Sequence, residues 1–141
     1  MRRLAAILVP AAAAAFLLAS CSGMMPSAPI DLPAWSPGPG LPAGLADGIL
    51  RWDGDCVRLE TEVGPDWVVI WPQGTRLRED LVPPIVVDGQ DHVIGTLGDQ
   101  VRLAGAAYPA GSWTAVHDRL VEDVPRACRD EAFWLGVPLG P

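Results

Sequence analysis

The sequence predicts a small, mainly β domain, built as an antiparallel barrel or sandwich with one short helix. Turn signals rich in Gly, Pro and Asp recur roughly every 8 to 12 residues after Asp53, the spacing typical of such folds. Between the turns, apolar and polar residues alternate or form short apolar runs, as in half-buried and central strands. One stretch, residues 112–124, has the period of an amphipathic helix instead.

The first two strands are predicted at residues 48–52 and 56–62, on either side of Asp53-Gly54. An Asp-Gly pair suits the positive φ that a tight hairpin turn requires. Residues 67–71 read Trp-Val-Val-Ile-Trp, which is strongly β-forming and apolar on both faces. We therefore expect that segment to form a central strand.

The next segments are shorter. Residues 75–78 alternate and predict an exposed strand, whereas Pro83-Pro84 cannot lie within a ladder. Residues 88–91 are a predicted turn, with strands expected on both sides of it. The remaining predicted strands are residues 85–87, 92–96 and 101–104, with residues 133–137 as a last strand or an apolar plug.

The predicted helix begins at Ser112, which can act as its cap, and ends before Pro125. Its apolar side is formed by Trp113, Val116, Leu120 and Val124, and charged residues occupy the rest of its surface.

Four short motifs are characteristic of this chain: Gly-Asp-Cys-Val-Arg-Leu (54–59), Val-Ile-Trp-Pro-Gln-Gly (69–74), Gly-Asp-Gln-Val-Arg-Leu (98–103) and a late Pro-x-x-Cys (125–128). With them the chain resembles small OB-like barrels of exported bacterial proteins over most of residues 45–137. The resemblance implies an antiparallel OB-like β-barrel and carries no catalytic residues.

The N-terminus has the layout of an export signal. Arg2 and Arg3 precede an apolar run at residues 4–18, which is short for a membrane span and ends in small residues. The following Leu-Ala-Ser-Cys (18–21) resembles the lipobox of bacterial lipoproteins. That resemblance implies a signal peptide at residues 1–20, diacylglycerol on Cys21 and an acyl chain such as palmitate on the new amino terminus. An ordinary secretory signal and an uncleaved membrane helix are the alternatives.

Residues 22–43 contain six prolines and three glycines, a composition that disfavours both helices and sheet ladders. We expect residues 21–44 to be the lipidated Cys and a disordered tether, able to hold a domain at residues 45–141 roughly 70 Å from the lipid. The predicted location is the cell envelope, outside the cytoplasm and anchored to a membrane. Which leaflet holds the anchor stays open.

The charge of the chain excludes one class of partner. Without Arg2 and Arg3 the formal net charge falls from −7 to −9. Because nucleic-acid binding needs a concentrated positive surface, nucleic acid is not expected as a partner.

Cys56 and Cys128 remain once Cys21 is assigned to the lipid. In an oxidising compartment, an even pair in a small domain is most simply a disulfide. Two buried free thiols and a metal pair are the alternatives, although the chain has no C-x-x-C motif.

Two groups of residues have side chains suited to a chemical role. Ser112, His117 and Asp118 have the residue types of a triad, but a five-residue separation on one helix does not bring Ser and His together. The turn residues Asp88, Asp91, Asp99 and His92 are more typical of solvated hairpin turns than of a cation site. No metal or other cofactor is therefore predicted.

Five tryptophans fall within residues 45–141, and most are expected in the core. Trp71 and Arg76 flank a Pro-Gly turn, so this pair is the predicted surface contact for a ligand.

These observations predict a membrane-anchored envelope lipoprotein whose domain is a non-enzymatic module that binds an envelope protein or glycan. A hydrolase of envelope polymers is the first alternative, with its carboxylates drawn from Glu60, Glu62 and Asp66. A small-ligand carrier is the second, although so small a barrel leaves little interior volume.

Overall fold

Ten β-strands and three single-turn 3₁₀ helices form within residues 27–39 and 44–139, the part of the chain that this computed structural model describes. The strands are β1 (Ile30–Asp31), β2 (Ala34–Trp35), β3 (Gly44–Trp52), β4 (Val57–Glu60), β5 (Trp67–Pro72), β6 (Arg76–Arg78), β7 (Ile85–Val87), β8 (Val93–Thr96), β9 (Gln100–Tyr108) and β10 (Phe133–Pro138). The 3₁₀ helices are Trp113–Ala115, His117–Arg119 and Arg126–Cys128. The predicted mainly β class is confirmed.

Five of these strands close into a barrel in the order β10-β9-β3-β4-β5, with β5 and β10 pairing to complete the circle. That closing pair is parallel, whereas the other four pairs are antiparallel. The arrangement is consistent with a small OB-like barrel, as the sequence predicted.

A second, antiparallel sheet has the order β1-β6-β7-β8. Its strands β6, β7 and β8 lie between β5 and β9 in the sequence, whereas β1 precedes all the barrel strands. The predicted turn at residues 88–91 joins β7 to β8, and Pro83-Pro84 lie outside the strands as expected.

The alternation of side chains along each barrel strand divides the core into two clusters. In β5, Val69 and Trp71 belong to the cluster that fills the barrel interior, while Val68 and Ile70 belong to an outer cluster. Residues 68–71 are all fully buried. The expectation of a central strand that is apolar on both faces is therefore confirmed.

The β3–β4 hairpin follows its predicted turn closely. Gly54 has φ of +102°, and the Asp53 carboxylate accepts hydrogen bonds from the backbone N–H groups of Asp55 at 3.0 Å and Cys56 at 2.8 Å. Asp and Gly thus perform the two roles for which a hairpin turn selects them.

The predicted disulfide between Cys56 and Cys128 is confirmed, with the two Cα atoms 6.2 Å apart. Both residues are buried in the outer cluster, beside Phe133. The bond ties the long β9–β10 connection to the start of β4.

The predicted disordered tether is wrong for residues 30–35, which contain β1 and β2 and the short link between them. β2 pairs in parallel with β5, and Leu32, Ala34 and Trp35 are buried. The indole N–H of Trp35 donates to the carbonyl oxygen of Gly136 at 3.3 Å. Proline removes only a donor, and the carbonyl of Pro33 still accepts a hydrogen bond from the Trp71 N–H at 2.8 Å. A Pro-rich segment can therefore pair along one edge. Residues 22–26 and 40–43 lie outside the described residues.

The predicted helix at residues 112–124 is also wrong. Two single 3₁₀ turns replace it, and the Ser112 side chain makes no capping hydrogen bond. The backbone N–H groups of Val121 and Glu122 instead donate to the Ala34 carbonyl oxygen, at 2.9 and 3.2 Å. Backbone groups of this segment therefore form hydrogen bonds with β2 instead of with each other in one continuous helix. A helical pattern in the local sequence does not contain this information.

Candidate functional site

The predicted lipobox, Leu-Ala-Ser-Cys (18–21), lies outside the described residues, as does the whole predicted signal peptide. Within residues 27–39 and 44–139, no helix combines the length and the hydropathy needed to span a bilayer.

The structure does not support a surface contact at Trp71 and Arg76. Trp71 is fully buried in the barrel interior, and its indole N–H has no hydrogen-bond partner among the described residues. Arg76 is partly exposed and forms an ion pair with Asp91 at 2.7 Å. Both faces of β5 are covered, so the tryptophan next to the Pro-Gly turn points inward.

In the turn at residues 88–91, the Asp88 carboxylate bonds within the turn, whereas Asp91 pairs with Arg76. Asp88 accepts hydrogen bonds from the backbone N–H groups of Gln90 and His92, at 2.8 and 2.9 Å, and its other oxygen lies 3.0 Å from Nδ1 of His92. The hydrogen bond from the His92 N–H is the main reason why the pKa of Asp88 lies below its ordinary value. Among the described residues, no three His, Cys, Asp or Glu side chains are grouped to hold a metal ion.

The triad-like residues are also dispersed. His117 Nδ1 lies 3.6 Å from an oxygen of Asp118, and both side chains are exposed. Ser112 precedes the first 3₁₀ turn and makes no side-chain hydrogen bond there. Among the described residues no base is hydrogen-bonded to the Ser112 hydroxyl, so this arrangement does not activate Ser112 as a nucleophile.

The candidate site is an open groove of about 760 Å³ where β3 separates from β4. The β3–β4 ladder begins only at the pair Ile49–Glu60, so the first half of β3 diverges from its neighbour. Residues 45–49 form one wall, residues 60–63 form another, and residues 98–100 border the outer side. The volume is within the range of ligand sites, roughly 300 to 1,000 Å³.

Gly48 lies at the point of divergence. A Cβ atom there would overlap the carbonyl oxygen of Glu60 and lie 2.9 Å from the Leu59 side chain. Only glycine therefore allows the two backbones to approach this closely before the strands separate.

Two tryptophans lie at the inner side of the groove. The rings of Trp67 and Trp134 meet edge to face, with their centroids 6.0 Å apart and an interplanar angle of 63°. Trp134 is buried and donates its indole N–H to the Ala104 carbonyl oxygen at 3.2 Å, whereas Trp67 stays partly exposed. The pair provides a fixed aromatic surface that is reachable from solvent at Trp67.

Four carboxylates and no basic side chain line the groove. Two of them are held by arginines outside the lining: Glu60 by Arg51 at 2.7 Å and Asp47 by Arg102 at 2.6 Å. The other two, Glu62 and Asp99, are exposed, and within the described part of the chain no cation lies within 4.0 Å of either. The groove is therefore negatively charged.

Exposed apolar side chains complete the rim. Leu45 is 63% exposed and Val63 is 91% exposed, and both line the groove. Large apolar side chains that stay in water beside an aromatic surface are typical of a binding surface.

Sequence reasoning identified part of this site. Glu60 and Glu62 were candidate carboxylates, but Asp66 lies outside the lining and accepts a hydrogen bond from the Thr61 N–H at 3.3 Å. Asp99 was assigned to a turn, and Trp134 to a last strand or plug. The signal that was missed is Gly48, a glycine within a strand pattern, which indicates a close backbone approach.

A comparison of the chain with protein-family models, with curated proteins and with solved structures finds no match in any of the three.

Proposed function

We propose that this protein is a membrane-anchored envelope lipoprotein whose barrel is a binding module, with the groove beside Trp67 as its docking site. The partner is an envelope protein or glycan. One observation carries the proposal: the groove combines an aromatic surface, exposed apolar rim residues and two unpaired carboxylates.

The lipid anchor in this proposal rests on the lipobox resemblance at residues 18–21. The proposed tether is shorter than the sequence predicted, because the first strand begins at Ile30, nine residues after Cys21. A fully extended chain of nine residues spans about 30 Å. The barrel is then close to the membrane, well within the roughly 70 Å that a tether of 22 residues would allow.

A hydrolase of envelope polymers is the second candidate, because Glu60 and Glu62 both line a groove with an aromatic surface. A glycosidase needs one carboxyl group free to act as an acid and another as a base or nucleophile. Glu60 is engaged by Arg51, so the pair is not arranged for those two roles in this conformation. The barrel interior is filled by side chains from all five strands, which disfavours the carrier hypothesis.

The binding proposal is tested with the full-length protein, captured in detergent from solubilised envelope. Reversing the groove charges with Glu62→Arg and Asp99→Arg is expected to reduce recovery of the enriched partner at least about tenfold. A partner that complements the negative groove would then face positive charges, and like charges that face each other repel. The matched control is Asp118→Arg, because Asp118 also carries a carboxylate and is fully exposed, but lies outside the groove.

Recovery of one partner by the wild type and by the Asp118 variant, but not by the groove variant, supports the proposal. The proposal fails if the wild type enriches no partner, or if the groove variant recovers the same partner equally well. Turnover of peptidoglycan fragments by the purified protein, lost on Glu60→Gln or Glu62→Gln, would favour the hydrolase instead.

A further inference from the structure

The first half of β3 has a free backbone edge within the described residues. It pairs with β9 from Gly44 to Ile49, but its pairing with β4 starts only at Ile49. In an antiparallel ladder, N–H and C=O groups point alternately to the two sides of a strand. Some of these groups in residues 44–48 therefore point away from β9 and lack a strand partner.

This free edge faces the groove. Residues 45–49 all line it, although successive side chains of a strand point to opposite faces. A strand can border a groove with five consecutive residues only if its edge, as well as its outer face, is open to it. The exposed edge is about 17 Å long at roughly 3.3 Å per residue.

Unpaired strand edges are sites where extended segments of other chains bind by adding a strand. The backbone hydrogen bonds provide affinity for any extended peptide, and the side chains around the edge select the sequence. β4 ends at Glu60, and the loop that follows it at residues 61–63 forms no ladder with this edge.

The charges around the edge favour a basic peptide. Glu62 and Asp99 have no ion-pair partner within residues 27–39 and 44–139, and no basic side chain from these residues lines the groove to compete for them. Trp67 lies partly exposed beside them, and the face of an indole ring attracts ammonium and guanidinium groups. Leu45 and Val63 provide apolar contacts for residues between the cations.

We propose that the groove binds an extended, basic peptide segment of a partner protein as an added strand along residues 44–48. Lys or Arg side chains at alternate positions of that segment face Glu62 and Asp99, and apolar residues between them contact the rim. This inference rests on the proposed function and narrows it to a protein partner of stated charge and conformation.

The test uses the full-length protein in detergent micelles and three acetylated, amidated heptapeptides. The first alternates Lys and Val, the second alternates Glu and Val, and the third is the Lys-Val peptide with alternate backbone amides N-methylated. Binding is measured by tryptophan fluorescence, and the site is located by the ¹H–¹⁵N amide shifts of residues 44–48.

The Lys-Val peptide is expected to bind saturably and to shift the amides of residues 44–48. The Glu-Val peptide is expected not to bind because it lacks positive charge. The N-methylated peptide is expected not to bind because it lacks the backbone N–H donors that pair with the edge. The double variant Glu62→Gln, Asp99→Asn is expected to raise Kd about fivefold, as two exposed charge contacts are lost. The same amide replacement at Asp118, as Asp118→Asn, leaves Kd unchanged.

Equal affinity of the N-methylated peptide would overturn strand addition, and equal affinity of the double variant would overturn the charge selection. Binding of a peptidoglycan disaccharide fragment in the groove, with no binding of the Lys-Val peptide, would replace the peptide by a glycan. That result would leave the docking role of the groove intact. The docking role is refuted by a different result, namely equal recovery of the partner by the wild type and the charge-reversed groove variant in the envelope capture.

Discussion

Replacing Cys56 and Cys128 together by Ser is expected to lower the free energy of unfolding by about 4 kcal/mol. The bond closes a loop of 72 residues, and cross-linking a loop of that size removes chain entropy from the unfolded state. Both sulfur atoms are also buried in the outer cluster, where a hydroxyl needs a hydrogen-bond partner. A loss of this size is a large part of the stability of a small domain.

The measurement is urea denaturation of the oxidised protein, followed by circular dichroism. Ala127→Ser is the matched control, because it adds a hydroxyl at an exposed position beside Cys128 and leaves the bond intact. A loss below about 1 kcal/mol in the double variant would show that the disulfide is not a main source of stability.

Trp35→Ala is expected to lower the free energy of unfolding by about 3 to 5 kcal/mol, the usual cost of truncating a buried aromatic side chain. Trp35 is fully buried in the outer cluster, and its indole N–H donates to Gly136 in β10. Its loss leaves a cavity against β10 and removes the hydrogen bond to the Gly136 carbonyl oxygen. The expected result follows from β2 being part of the folded body, since a tether residue would contribute nothing.

The same denaturation experiment measures this variant, with Ser36→Ala as the control at the exposed neighbouring position. Trp35→Phe is expected to retain most of the stability, because it keeps the apolar contacts and loses only the indole donor. If Trp35→Ala unfolds at the wild-type urea concentration, residues 30–35 do not contribute to the barrel.

Local sequence patterns were sufficient to predict features that depend on residue type alone. These features are the Asp53-Gly54 turn, the central strand at residues 67–71 and the Cys56–Cys128 disulfide. Each prediction is confirmed because the residue types allow few alternatives in a small β domain. An Asp-Gly pair favours a turn with positive φ, an apolar run favours a strand buried on both faces, and an even cysteine pair favours a disulfide.

Patterns failed where a distant segment supplies the hydrogen bonds. β2 forms because β5 and the segment at residues 120–122 pair with it, and that pairing also replaces the predicted helix. The prolines disfavour strands and the helical period favours a helix, but long-range backbone pairing determined the structure of both segments.

The groove could not be predicted for a similar reason. It depends on the separation of β3 from β4 at Gly48 and on Trp134, which lies 67 residues from its ring partner Trp67.

The strand at Ile30 also shortens the proposed tether. Only nine residues separate Ile30 from the proposed lipid on Cys21, and a fully extended chain of that length spans about 30 Å.

The central claim, that the groove is the docking site, is tested most directly by site-specific photo-crosslinking in cells that make the protein. A photoreactive residue replaces Val63 at the groove rim or, as a control, Val82 in the β6–β7 loop, where the side chain is 98% exposed. The expected result is one discrete adduct from position 63, mapped by mass spectrometry to an extended basic segment, and none from position 82. An adduct from position 82 alone, or identical adducts from both positions, would contradict docking at the groove.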